Sequence, residues 1–410
     1  METALLSPSI LMIITASMTA IFLLRPKVIK APFWRAMVTP LASIIGSGFL
    51  VAGPILAHVA GNHAWIAMLL LCGAAYLFGG AIRHNIAHIE PISPGQLPVS
   101  YRMIERFSDF ALAFAYFVSV AYYLNLFASF ALRADDIIDP YLTRWLSSAV
   151  IFTLGIVGAF RGLHTLEHLE AVSVGIKLAL IAGLIAALTL AMGVAVSTDS
   201  FVLLEFDHGT GMHELGILLG LIILVQGFET SRYLGDAYDG PTRIKTMKYA
   251  QLLATVIYLV FILLLTPYFT GDLPTLGGET EIITLLAPLG AVVGPLIIFA
   301  ALASQISAAI ADMNGAGGLL ATASEHHITM RAGYLLTAAA ALGITWTASI
   351  LDIIVYASKA FVIYYGLQSG LAALACWQSN QKHRIGKTML FTAGVLLSLL
   401  VLVFGISAEI

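Results

Sequence analysis

Two short strings interrupt apolar runs of membrane length: Gly46-Ser47-Gly48 near the start of the chain and Gln226-Gly227-Phe228-Glu229 just past its middle. Backbone that leaves its helix at bilayer depth must satisfy its N–H and C=O groups inside protein or in a water-filled cavity. Two such breaks in corresponding places point to the binding site of a membrane transporter. Their chemistry is complementary. Ile45, Gly46, Ser47 and Gly48 would offer free amides at the start of a half-helix, where the positive dipole end favours a carboxylate. Val225, Gln226 and Gly227 would offer free carbonyls to an ammonium, with the Phe228 ring as a lid or a cation–π face. A small amino acid or related amine is the partner that carries both groups. Glycines in membrane helices also serve tight helix crossings, and that reading stands beside the first.

Ionisable and polar residues at the same depth add a second layer. Glu229 lies just past the second break, where an ionisable group is functional by default unless Arg232, three residues on, neutralises it. Lys177 lies near the centre of an apolar run, too deep to snorkel. It is either a titrating amine or a lysine tied to Asp312 or to backbone carbonyls. Ser304, Ser307 and Asp312 share one long run with Asn314, and the two serine oxygens together with freed carbonyls near Gly46 would suit sodium. A charged Lys177 beside them would repel it. Tyr122, Tyr123 and Asn125 are the candidates for side-chain contact with substrate, against packing as the alternative.

The histidines suggest a metal and then fail to support one. His84 and His88 are four apart, as are His164 and His168, and His164-Thr165-Leu166-Glu167-His168 matches an inverted zinc-protease string. A protease would need a further ligand and a cleft, whereas this string falls in a short turn. With His326, His327 and His383 these residues lie on one predicted side, either as a pH-sensing or metal-binding cluster or as scattered solvated side chains. Cys72 and Cys376 sit in apolar runs and read as packing. No cofactor is implied, and no nucleophile and base converge in the apolar runs, so an enzyme is not expected.

Composition fixes the solvent. The 410 residues are 59% hydrophobic and 10% charged, with a mean hydropathy of +0.93, which implies an all-α integral membrane protein in contact with a lipid bilayer. A net charge of −3 gives no reason to expect nucleic acid. At about 20 residues per span, helices are predicted near 6–24, 33–60, 63–88, 100–133, 147–162, 166–193, 213–239, 246–270, 286–323, 331–347, 351–377 and 387–407, twelve in all. Of the 20 Lys and Arg residues, all but Arg133, Arg144, Lys177 and Lys359 fall on one predicted side. The rule that cytoplasmic loops are basic then places both termini outside the cytoplasm of a bacterial-type inner membrane. With the first helix set aside, five helices face five, and an odd number inverts the second set. The expected organisation is an extra helix over 1–30, a first repeat over 31–195, an inverted second repeat over 210–378 and a last helix over 379–410.

These motifs carry a family resemblance. Ala42-Ser43-Ile44-Ile45-Gly46-Ser47-Gly48-Phe49 resembles the first-helix signature of the amino acid–polyamine–organocation (APC) superfamily. Gln226-Gly227-Phe228-Glu229 resembles its sixth-helix Gly-Phe-Glu, and Pro241-Thr242-Arg243 the basic segment that follows. The resemblance spans roughly 33–377 and implies the LeuT-type five-plus-five inverted repeat, with secondary transport by alternating access. It also implies a gating or proton-handling role for Glu229. Val172-Ser173-Val174-Gly175-Ile176-Lys177-Leu178 resembles the segment of proton-coupled members in which a lysine amine takes the place of a sodium ion, so Lys177 is expected to carry a coupling proton. Sodium-coupled or exchange transport on the same fold, and a non-transporting membrane sensor or enzyme, are the alternatives. The extra leader helix and the missing arginine after Met313-Asn314-Gly315 depart from the family pattern, leaving oligomeric state and substrate open.

Overall fold

A computed structural model describes residues 7–46, 48–93, 95–163, 170–198, 211–235, 237–269, 277–379 and 383–408. These residues form helices and turns, with no strand among them. The helices are α1 (Pro8–Leu23), α2 (Pro26–Ile29), α3 (Pro32–Ile44), α4 (Gly48–Ala60), α5 (Ala64–His88), α6 (Val99–Arg133), α7 (Pro140–Arg161), α8 (Glu170–Ser197), α9 (Met212–Leu219), α10 (Gly240–Leu265), α11 (Ile282–Leu286), α12 (Val293–Ala323), α13 (Met330–Thr347), α14 (Ile350–Gln378) and α15 (Arg384–Phe404).

Local chemistry sets the ends of these helices. Ser7, Asp139, Asp239, Thr329 and Ser349 each cap a helix by accepting a backbone N–H with the side-chain oxygen. A proline stands in the first turn after three of them, where its missing N–H costs nothing. Helices α7 and α10 therefore start at 140 and 240, earlier than hydropathy predicts, because their first turns carry Arg144 and Arg243 and do not read as membrane. In the other direction, the predicted 286–323 span begins only at Val293, since Pro288 and Gly290, at φ +126°, end a short turn before it.

Eight stretches among the described residues are long and apolar enough to cross a membrane: 32–88, 99–133, 140–161, 172–197, 240–268, 293–323, 350–378 and 384–404. The first holds α3, α4 and α5 together. The other predicted spans are present as the shorter α1, the interrupted segment 212–234 and α13. Polarity is inverted relative to a water-soluble core: Glu229, Gln368 and Asn125 are buried, while Phe152, Phe160 and Val403 are more than half exposed. That pattern fits a lipid surround.

Helix α6 is the central post, packed along α12 and α14. Helix α5 lies on α10, and α7 on α13. Helix α1 lies along α8, and Ser9 on α1 donates to the Leu289 carbonyl at 2.8 Å. The α1–α8 contact is backbone-close, because a Cβ added at Gly183 would stand 2.5 Å from the Met12 carbonyl oxygen. Gly183→Ala is therefore expected to lower unfolding stability by about 1–3 kcal/mol through overpacking. Gly193→Ala in the same helix, where a Cβ meets nothing within 4 Å, is expected to leave it unchanged or raise it. Thermal unfolding in detergent compares the two.

Candidate functional site

Both predicted breaks are present, and they face each other. Helix α3 stops at Ile44, Ile45 caps it, and α4 begins at Gly48, with Ser47 outside the described residues. The amide of Gly46, expected to be free, donates to the Ser43 carbonyl at 3.1 Å, which leaves the α4 N-terminus at Gly48 as the positive end. On the other side, α9 gives way to a 3₁₀ turn over Ile222–Val225, an extended Gln226, a left-handed Gly227 at φ +114° and a second 3₁₀ segment over Phe228–Leu234. The Gly227 carbonyl, also expected to be free, accepts from the Thr230 hydroxyl at 2.7 Å.

The glycines serve the crossing of the two breaks. A Cβ at Gly48 would stand 2.6 Å from the Leu224 carbonyl oxygen, and one at Gly227 would collide with Ser43 and the Ile44 amide. The tight-crossing reading thus describes this state, and what Gly48 and Gly227 admit here is the opposing backbone. Between the breaks stands Tyr258 of α10. Its hydroxyl lies 2.9 Å from the Ile44 carbonyl and 2.7 Å from that of Leu224, one on each broken helix. A phenol has one proton, so it serves two acceptors with a single donor.

Side chains complete the second break. Gln226 donates through Nε2 to the Tyr123 hydroxyl at 2.8 Å, and its buried Oε1 has no hydrogen-bond partner. The Tyr122 and Tyr123 rings lie 5.4 Å apart, both buried. One face of Phe228 is covered by Tyr365 at 5.0 Å, and Tyr365 is stacked in turn on Phe78. Glu229, 0% exposed, accepts through Oε2 from the Gly227 amide at 2.9 Å and from the Tyr365 hydroxyl at 2.8 Å, while Oε1 has no partner. Arg232 does not neutralise it. That guanidinium pairs with Glu105 of α6 and bonds Gln368 of α14, and Gln368 also accepts from Asn85 of α5 at 2.8 Å. Arg243, bonded to Glu90 and to the Arg232 carbonyl, adds a further layer.

The four residues considered for coupling separate into two places. Lys177 is buried and donates through Nζ to the Ala42 carbonyl at 3.1 Å, at the end of α3 beside the first break. It lines a cleft with Ala300 and Ala303 of α12, and Ser307 follows Ala303 by one turn on that face. Ser304, next to it, is buried with an unpartnered hydroxyl. Asp312 faces α6, where the Ser119 hydroxyl donates to it, and the bond seen for Lys177 is to a backbone carbonyl, the second of the two ties that the sequence suggests. Asn314 accepts from Tyr334 at 2.8 Å. Asn125 is held by Thr345 at 2.8 Å and by Ser147 at 3.3 Å, so it braces α6 against α7 and α13 instead of turning to the breaks.

His84 and His88 stack at 4.2 Å, and His84 Nε2 lies 3.3 Å from the Cys376 sulfur. Among the described residues no three His, Cys, Asp or Glu side chains gather as a metal site. His164 and His168 lie outside those residues.

Residues 26–405 match the family described as APC superfamily transporter. The chain belongs to that superfamily. It is also 39% identical over 393 residues, 95% of each chain, to an uncharacterized protein of Aquifex aeolicus (strain VF5). The chain is thus a multi-pass membrane transporter, and α1 ends at Leu23, before the matched region starts.

Two aromatic residues of this transporter escape a reading of motifs. Tyr258 and Tyr365 sit inside apolar helices at packing spacing, and only contact with the carbonyls of the two breaks and with Glu229 reveals them. The Tyr258→Phe variant removes the shared donor and leaves a buried acceptor unpaired, with an expected loss of about 1–3 kcal/mol. The Gly227→Ala variant combines a left-handed φ with a backbone clash and is expected to destabilise the fold as well as stop transport. Thermal unfolding paired with uptake measures both. Full stability in Gly227→Ala would mean that the crossing relaxes freely.

Proposed function

We propose that this transporter is a secondary carrier of an amino acid or related small amine, works by alternating access in the cell membrane, and is driven by protons. The observation that carries the reading is the burial of an amine beside the first break, where Lys177 reaches the Ala42 carbonyl; a structural lysine makes the same bond, and titration of the amine is what separates the two. A cation fixed there repels sodium. Protonated, it holds α8 to the end of α3; deprotonated, it loses that charge-assisted bond and biases the gate toward another state. The packing of α5 on α10, α6 on α12 and α7 on α13 supports the five-plus-five inverted repeat, with α1 and α15 outside it. Gln226, Tyr123 and the α4 N-terminus are the groups we assign to substrate, and Glu229 with Tyr365 to the gate.

The Arg232–Glu105–Gln368–Asn85 layer and the Arg243–Glu90 pair lie on the side where basic residues collect. In this reading they close the cytoplasmic end, and both chain termini face outward. A Thr3→Cys variant in a Cys-free background is expected to label from outside intact cells; labelling only after permeabilisation reverses the topology.

In proteoliposomes, wild-type protein is expected to accumulate substrate down an imposed pH gradient. Lys177→Ala should lose that accumulation while still binding substrate. Unchanged pH-driven uptake in Lys177→Ala makes the lysine structural. Uptake that follows sodium instead transfers coupling to Ser304 and Ser307.

A further inference from the structure

Three residues beyond Tyr122 along α6, Asn125 lines a cavity that the breaks do not form. Its walls come from four places: the end of α6, the start of α7, the 277–280 turn and the joint between α13 and α14. Three charged side chains face it, Asp139, Arg144 and Glu279.

These charges are not equally engaged. Asp139 Oδ1 accepts from the Tyr141 and Leu142 amides at 2.8 and 3.2 Å, so its carboxylate is committed to the start of α7. The N-terminus of α14 is likewise closed by Ser349, which accepts from the Asp352 amide at 3.1 Å. Arg144 is half-buried and has only a 3.4 Å bond to the Ala348 carbonyl. Glu279 accepts from the Ser129 hydroxyl at 2.8 Å. Neither forms an ion pair among the described residues. A guanidinium and a carboxylate thus line one cavity from different elements, with no ion pair between them among the described residues. The group that completes both is a small molecule with a carboxylate at one end and an ammonium at the other.

We propose that this cavity is an outer binding site for an α-amino-acid zwitterion, with the carboxylate on Arg144 and the ammonium on Glu279. The class of ligand follows from the cavity itself; that it is the substrate on its way to the breaks rests on the function proposed above. Arg144 offers a planar fork that takes a carboxylate in two parallel bonds. Glu279, already turned inward by Ser129, accepts from the ammonium. Asn125 lines the cavity from the face of α6 that meets α7 and α13, and Tyr123, two residues earlier, meets Gln226 from another face.

Calorimetric titration of purified full-length protein with each proteinogenic L-amino acid, then with the methyl ester and the N-acetyl derivative of the tightest, tests this. Two classes of site are expected for the free amino acid. Arg144→Gln and Glu279→Gln should each weaken one class by about tenfold to a hundredfold, as for loss of a hydrogen bond to a charged group. Gln226→Ala should weaken the other class. On wild-type protein the ester and the N-acetyl derivative should each lose the class that depends on Arg144 and Glu279, in addition to any weakening at the breaks, whether or not the variants fold. A single class, lost in Gln226→Ala and unchanged in Arg144→Gln and Glu279→Gln, overturns the outer site and leaves the transport reading intact. An ester that keeps both classes also overturns it. Failure of every amino acid to bind wild-type protein overturns both.

Discussion

The contact of two interrupted helices, backbone against backbone, is the constraint on which the rest of the molecule depends. In an apolar surround a freed carbonyl or amide has no water to bond, so each break must be satisfied by protein. The chain meets that demand locally at Gly46 and Thr230 and across the bundle through Tyr258 and Ser358. Ser358 accepts from the Ile223 amide at 3.0 Å and donates to the Gly220 carbonyl at 2.6 Å. Gly48 and Gly227 follow from the same demand, because any side chain there would hold the breaks apart. The two irregular segments are therefore one structural unit drawn from distant parts of the sequence.

Polar side chains extend that unit along its axis. Gln226 ties the second break to α6 through Tyr123, and Glu229 ties it to α14 through Tyr365. Below them, Arg232 joins α6 and α14, and Gln368 passes the connection to α5. A movement of the second broken segment must exchange these bonds together. Buried polar networks of this kind specify discrete arrangements, which suits alternation between two states.

Much of this was legible in the chain. Gly46-Ser47-Gly48 and Gln226-Gly227-Phe228-Glu229 stood out because breaks in apolar runs have few explanations, and Lys177 because a central lysine has fewer. What could not be read was direction. Spacing alone did not say that Arg232 turns to Glu105 and away from Glu229, that Asp312 meets Ser119, or that Asn125 braces α7 and α13. Each depends on which neighbour lies across the bundle, a fact of packing and not of sequence order. Tyr258 and Tyr365 were hidden for the related reason that an aromatic in an apolar helix looks the same whether its hydroxyl is idle or holds the centre together.

The shortness of α1 bears on the membrane itself. Ser7 and Pro8 start it and Leu24 caps it, so its 16 helical residues are roughly 24 Å long at the usual rise per residue. A hydrocarbon core is about 30 Å thick. A helix of that length crosses such a core only where the bilayer thins or where Arg25 and Lys27 reach outward to its surface. Because α1 lies against α8, the helix that carries Lys177, and is pinned at its other end to Leu289, any such mismatch would fall on a neighbour of that lysine's helix. Lipid chain length would then be felt at the flank of the protein's charged centre.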